Sequence, residues 1–199
     1  MLQINDKGQL QDPRVRPAIS PAIERGRLER VQGIVVHQTG GPTAEATLRA
    51  YRRGGNGAHF LIEKDGTLYQ TASVHKRTQH VGKLRARCLA ENRCAPGEAE
   101  ALREMTPTER NRHEMRKPVP ERYPSNGDSV GIELVGQALP LDEPDPDRRT
   151  YERVTEAQNA TLKWLVQGLL LHFGVPRSEV FRHPVVSQKN VTEAETAQW

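Results

Sequence analysis

Two histidines and a glutamate stand in strand-like apolar surroundings, and together their side chains could carry out metal-assisted hydrolysis. Gly33-Ile34-Val35-Val36-His37-Gln38-Thr39 is a β-branched run ending at His37, and Phe181-Arg182-His183-Pro184 presents His183. Gly131-Ile132-Glu133-Leu134-Val135-Gly136 sets a carboxylate inside a third apolar run. Two neutral imidazoles can hold Zn²⁺, and a nearby carboxylate can take a proton from water at the metal. Each residue also has a plainer reading. His37 and His183 can be strand-end histidines making one hydrogen bond. Alternation along a strand lets Glu133 face solvent while Ile132 and Leu134 point inward.

The elements around these residues suggest how they are positioned. Residues 1–30 are polar and carry Pro13, Pro17 and Pro21, which reads as an extended lead-in to a domain spanning 31–199. A strand at Ile34–His37 is followed by Gly40-Gly41-Pro42-Thr43, where Thr43 caps a helix over Ala44–Arg53. Ala58–Glu63 and Thr67–Gln70 flank Lys64-Asp65-Gly66 as a hairpin with Asp-Gly at its turn. Residues 83–127 hold many arginines, glutamates and prolines and read as a long, partly helical insertion. Residues 129–135 return to strand, and Leu139–Asp147 form a proline-rich acidic loop. The longest helix is expected from about Tyr151 to Phe173, with Leu162, Leu165, Val166 and Leu169 at helical spacing and Gly174 at its end. Strands interspersed with helices predict a single α/β domain with a mixed central sheet flanked by helices.

At 199 residues the chain suits one domain with a substantial core. Aromatic residues make up only 5%, so that core must be aliphatic. A net charge of +4 suits an anionic partner, but the 29 Lys and Arg residues are scattered and form no long basic run. Scattered charge and few aromatics make a nucleic-acid binder the weakest reading. The N-terminal residues lack the apolar region of a secretory signal, and no run reaches the roughly 18 apolar residues of a membrane span. Synthesis in the cytoplasm without a signal peptide is therefore expected. Cys88 and Cys94 are close enough for a local disulfide, or they are two reduced thiols in a loop. A zinc ribbon lacks its second cysteine pair.

Four segments in order resemble the zinc-dependent N-acetylmuramoyl-L-alanine amidases, which share a fold with peptidoglycan recognition proteins. They are Ile34–Thr39; the hairpin from Ala58-His59-Phe60 to Tyr69-Gln70; Gln79-His80-Val81-Gly82 with the later Ser129–Gly136; and the long helix followed by Arg182-His183-Pro184 and Lys189. The similarity runs over roughly residues 30–195, leaving out the insertion, and rests on the order of the segments more than on any one of them. It implies that His37 and His183 are zinc ligands and that Glu133 is the base acting on water. It implies further that Lys189 stabilises the negative charge developing on the scissile carbonyl. The bond cut would join the lactyl group of N-acetylmuramic acid to L-alanine of the stem peptide. His59 and His80 are candidates to line the substrate groove, with a hydrogen-bonded structural role as the alternative for each.

The chain departs from the family at the third ligand. The family has cysteine or aspartate shortly after the lysine, whereas Lys189-Asn190-Val191-Thr192-Glu193 places a valine at the usual spacing. Glu193 is the nearest carboxylate and the expected replacement, with Asn190, Thr192 and Glu195 as alternatives. Val191 also keeps open a non-catalytic peptidoglycan-binding module. The resulting expectation is a zinc peptidoglycan hydrolase acting on peptidoglycan or muropeptides in the periplasm or cell wall. Non-classical delivery or lysis would bring it there as an antibacterial effector or lytic enzyme, and an immunity or inhibitory protein is a conceivable partner.

Overall fold

A computed structural model describes residues 2–199. The strands are β1 (Val15–Pro17), β2 (Gly33–Gly40), β3 (Phe60–Ile62), β4 (Leu68–Gln70), β5 (Ser129–Leu139), β6 (Thr150–Tyr151) and β7 (Val180–Arg182). The helices are α1 (Ala44–Arg53), α2 (Arg87–Ala90), α3 (Pro96–Glu104), α4 (Pro107–Glu114), α5 (Glu156–Phe173) and α6 (His183–Val186). The sheet runs β1-β4-β3-β5-β2-β7, with β6 paired to the far end of β5. Most neighbours are parallel; β3–β4 and β5–β6 are antiparallel. The mixed α/β sheet expected from the sequence is what forms.

Period-two alternation divides the sheet into two faces. Ile34 and Val36 of β2, Phe60 and Ile62 of β3, and Val130, Ile132 and Leu134 of β5 form one core with Leu162, Leu165, Val166 and Leu169 of α5. The opposite face carries His37 and Glu133. Gln158 fastens α5 to the sheet, its buried amide donating to the carbonyls of Ile62 and Val135. The β3–β4 hairpin turns at Asp65-Gly66, where Gly66 takes φ 86°, a left-handed conformation that glycine adopts without steric cost.

Two expectations change, and the insertion is partly helical as expected. Residues 2–30, expected as an extended lead-in, build part of the domain: β1 pairs with β4, and Leu2, Leu10, Val15 and Leu28 enter the main core. Met1 lies outside the described residues. The long helix starts at Glu156 and not near Tyr151, because Tyr151 pairs with Ala138 and Thr155 forms a capping box with Gln158. The insertion over 83–127 is folded against the sheet. Cys88 and Cys94 form a disulfide there, and Arg87 makes a buried two-pronged ion pair with Glu179 at 2.8 and 2.9 Å. No helix among the described residues is long and apolar enough to cross a membrane.

Candidate active site

His37 reaches the site because β2 alternates: Val36 enters the α5 core, so His37 points to the other face. In the parallel register of β2 and β5, His37 lies opposite Glu133. His183 is brought alongside by β7, which pairs with β2 and ends at Arg182, so that His183 is the first residue of α6. Pro184 follows as the second residue of that short helix, its fixed φ suiting the first turn.

Glu193 arrives from a turn near the C-terminus. The Gln38 backbone N–H donates to Glu193 Oε1, and the Gln38 side-chain oxygen accepts from Ala194 N–H. Ala194 adopts φ 54°, a left-handed conformation uncommon in alanine, as the turn directs Glu193 inward. His183 Nδ1 lies 3.0 Å and His37 Nδ1 3.6 Å from Glu193 Oε1. One ligand atom from each of the three buried residues falls within 4.8 Å of the others. The alternatives for a third donor are engaged elsewhere or turned away. Asn190 donates to the carbonyls of Pro146 and Arg149 and accepts from Thr192, whose hydroxyl also accepts from Tyr151 N–H. Glu195 is exposed, and Val191 is 78% exposed.

The electrostatics suit a cation. Burial pushes His37 down to about 4, despite the opposing pull of Glu193, so its ring is neutral at neutral pH. Burial would raise Glu193, but the hydrogen bond from His183, with the neighbouring His37 adding to it, outweighs burial and holds the carboxylate at about 2. His183 Nε2 is buried with no hydrogen-bond partner among the described residues. Two imidazoles and an ionised carboxylate, converging away from water, fit the donor set and open side of a catalytic zinc site. Glu133 is different: burial, with the nearby Glu193 charge adding and Lys189 opposing, pushes it up to about 8. Its Oε2 is buried without a partner among the described residues.

These side chains line one cleft of about 530 Å³, which Lys189, His80, Tyr51 and Tyr151 also line. A second cleft of about 490 Å³ shares Gln188, Lys189 and Asp147 with it and is walled by Pro107 and Arg110 of α4. The insertion thus borders the site. A larger cleft of about 900 Å³, near Arg153, Lys163 and Trp199, contains none of the groups described above except the neighbouring Arg182.

The two remaining histidines part ways. His80 lines the cleft, but its Nδ1 is 3.0 Å from His37 Nε2. His59 does not line the groove: it is fully buried, its Nε2 donating to Lys76 O and its Nδ1 accepting from Gly131 N–H. It is the structural alternative that the sequence left open, its ring tied to the backbone of β5 at Gly131. Sequence reasoning missed the role of Gln38 and offered Asn190 only as an alternative ligand, because both act through contacts far along the chain.

The profile of the N-acetylmuramoyl-L-alanine amidase family matches residues 27–196. Among solved structures, a selenomethionine derivative of AmpD superposes with a TM-score of 0.55 at 20% identity, over 94% of this chain and 89% of that one. AmpDh3 from Pseudomonas aeruginosa, in complex with anhydromuramic pentapeptide, gives 0.55 at 18% identity over 95% of this chain and 60% of that chain. The catalytic domain of XlyA gives 0.51 at 17% identity over 88% and 87%. These likenesses establish the fold. A search of curated protein sequences finds no match. With a family match over most of its length, the chain belongs to the N-acetylmuramoyl-L-alanine amidases.

Proposed function

We propose that this amidase is a zinc enzyme that hydrolyses the bond between the lactyl group of N-acetylmuramic acid and L-alanine of the stem peptide. The observation that carries the reading is the convergence of His37, His183 and Glu193 in one cleft, beside the register partner Glu133. His37, His183 and Glu193 would hold the metal. Zinc, when bound, lowers the pKa of water and polarises a carbonyl.

The chain's own groups supply the rest. Glu133 takes a proton from the attacking water and delivers it to the departing amide nitrogen; a carboxyl raised to about 8 can do both near neutral pH. Lys189 offers a cation to the carbonyl oxygen as negative charge builds there. The muropeptide bound to AmpDh3 supports the substrate class. Glu193's burial and Val191's exposure favour catalysis over a non-catalytic binding module. The Cys88–Cys94 disulfide favours work outside the cytoplasm, since such bonds persist in oxidising compartments. Recovery of both thiols free in protein taken from its site of action would count against that location.

The test is digestion of purified peptidoglycan, with mass spectrometry of the products and elemental analysis of the enzyme. Free stem peptides beginning at L-alanine, about one zinc per chain and loss of activity on chelation are expected. Tight muropeptide binding without peptide release would overturn the catalytic reading. Activity in a chain stripped of metal would overturn the zinc.

A further inference from the structure

We propose that His80 and Ser129 are positioning residues that fix the proton of His37 on Nε2 and turn its Nδ1 lone pair toward the metal cleft. The inference rests on the zinc reading for its purpose, though not for its geometry. The Ser129 hydroxyl lies 2.6 Å from Ser125 O, to which it donates its one proton. Its second contact, 3.3 Å from His80 Nε2, is then an acceptance, so His80 carries a proton on Nε2. The ring is buried, and its side-chain partners are Ser129 and His37, neither of them acidic. An imidazolium there would be an unpaired buried charge, and the neutral ring leaves Nδ1 bare. At 3.0 Å, that bare nitrogen can only accept from His37 Nε2–H. His37 Nδ1, 3.6 Å from Glu193 Oε1, is left as a lone pair facing a carboxylate oxygen. A cation held between them satisfies both.

The fold holds this relay in place at both ends. Asn126 Oδ1 accepts from the backbone N–H groups of His80 and Val81 at 2.8 and 2.7 Å. On β5, a Cβ at Gly131 would stand 2.7 Å from His80 Nδ1, so a bare backbone lets the ring approach. Ser129 belongs to the same strand, two residues before Gly131. A reversed relay would place the His37 proton on Nδ1, where it blocks a metal. Partners that orient a ligand histidine in this way typically matter by roughly 10–100-fold in metal affinity.

The first experiment is imidazole ¹⁵N–¹H correlation spectroscopy on the labelled, zinc-free protein near neutral pH. His37 and His80 should both appear as Nε2–H tautomers; a His37 Nδ1–H tautomer overturns the proposal. The second is zinc affinity by chelator competition. His80→Leu should weaken binding by roughly 10–100-fold, and His80→Asn, whose side-chain oxygen can accept from His37, should recover most of the loss. Affinity within about twofold of the parent in His80→Leu would overturn the positioning role. If His80→Leu fails to fold, the spectrum of the unaltered protein still decides. A chain that binds no zinc overturns the metal reading instead, and the tautomer of His37 still decides the relay.

Discussion

His37 and Glu133 are register partners on adjacent parallel strands, so a candidate metal ligand and the candidate base are set by backbone pairing in the centre of the sheet. A one-residue slip would put Ile132 or Leu134 beside His37 and swing Glu133 into the α5 core. The hydrophobic alternation that builds the core therefore also builds the site. Groups on central strands are held with less play than groups on loops.

Glu133 should be a source of instability as well as of catalysis. Its carboxyl is raised from 4.5 to about 8 in the folded chain, first by burial and then by Glu193. The folded state thus keeps a proton that the unfolded chain releases. The associated stability is fully present below about pH 4.5 and is lost as pH rises through about 8, a loss of up to a few kcal/mol. Glu133→Gln should therefore make the zinc-free protein more resistant to urea at pH 8.5, with little gain near pH 4.5. The same variant should lower kcat by about 10²–10⁴-fold. Parallel unfolding midpoints at the two pH values would refute the assignment.

At the third ligand, the buried carboxylate should matter and the family spacing should not. Glu193→Ala should reduce bound zinc from about one per chain to well below that, measured by elemental analysis after dialysis. Adding Val191→Asp to that variant should not restore the metal, because position 191 faces solvent. Restoration would mean that the turn re-forms around the family's usual spacing and that Glu193 is a substitute of convenience.

Local wording made much of the site legible. His37 and Glu133 sit in strands whose alternation can be read directly, whereas His183, read as strand-like, opens the short helix α6. Thr43 and the Asp65-Gly66 turn likewise announce their own elements. What the sequence hid is non-local. The three-residue β1 has no periodicity of its own and exists by pairing Val15 with Leu68, far along the chain. His59 and His80 stand in similar text, and non-local contacts separate them: the Lys76 carbonyl and Gly131 N–H at one, the His37 ring and Ser129 hydroxyl at the other. A spacing of six residues between cysteines permits a disulfide but does not decide its redox state.

The ion pair between Arg87 and Glu179 should be costly to break from one side. Arg87 lies in the 83–127 insertion, and Glu179 ends the turn before β7, four residues ahead of His183. Both side chains are nearly excluded from solvent. Arg87→Ala would strand a buried carboxylate and should lower stability by about 3–5 kcal/mol. Arg87→Met with Glu179→Leu should recover most of that, since a packed apolar pair carries no desolvation cost. Urea unfolding of the single and double variants checks the comparison. Equal losses in both would show that the charges themselves, and not the stranded partner, set the stability.

The Cys88–Cys94 bond should act on the insertion alone. It closes a short loop between α2 and α3, beside a small apolar cluster of Ala86, Cys88 and Leu102. Neither cysteine lines the cleft of His37, Glu133 and His183. Restricting so short a loop in the unfolded chain is worth about 2 kcal/mol. Cys88→Ser with Cys94→Ser should therefore lower the unfolding midpoint while leaving kcat within about twofold of the parent. The more telling measurement is hydrogen exchange, where faster exchange should be confined to α2 and α3 and should spare β2 and β5. If exchange rises across the central strands, or kcat falls with the bond, the insertion is coupled to the positions of His37 and Glu133. The disulfide would then hold the active site as well as the insertion.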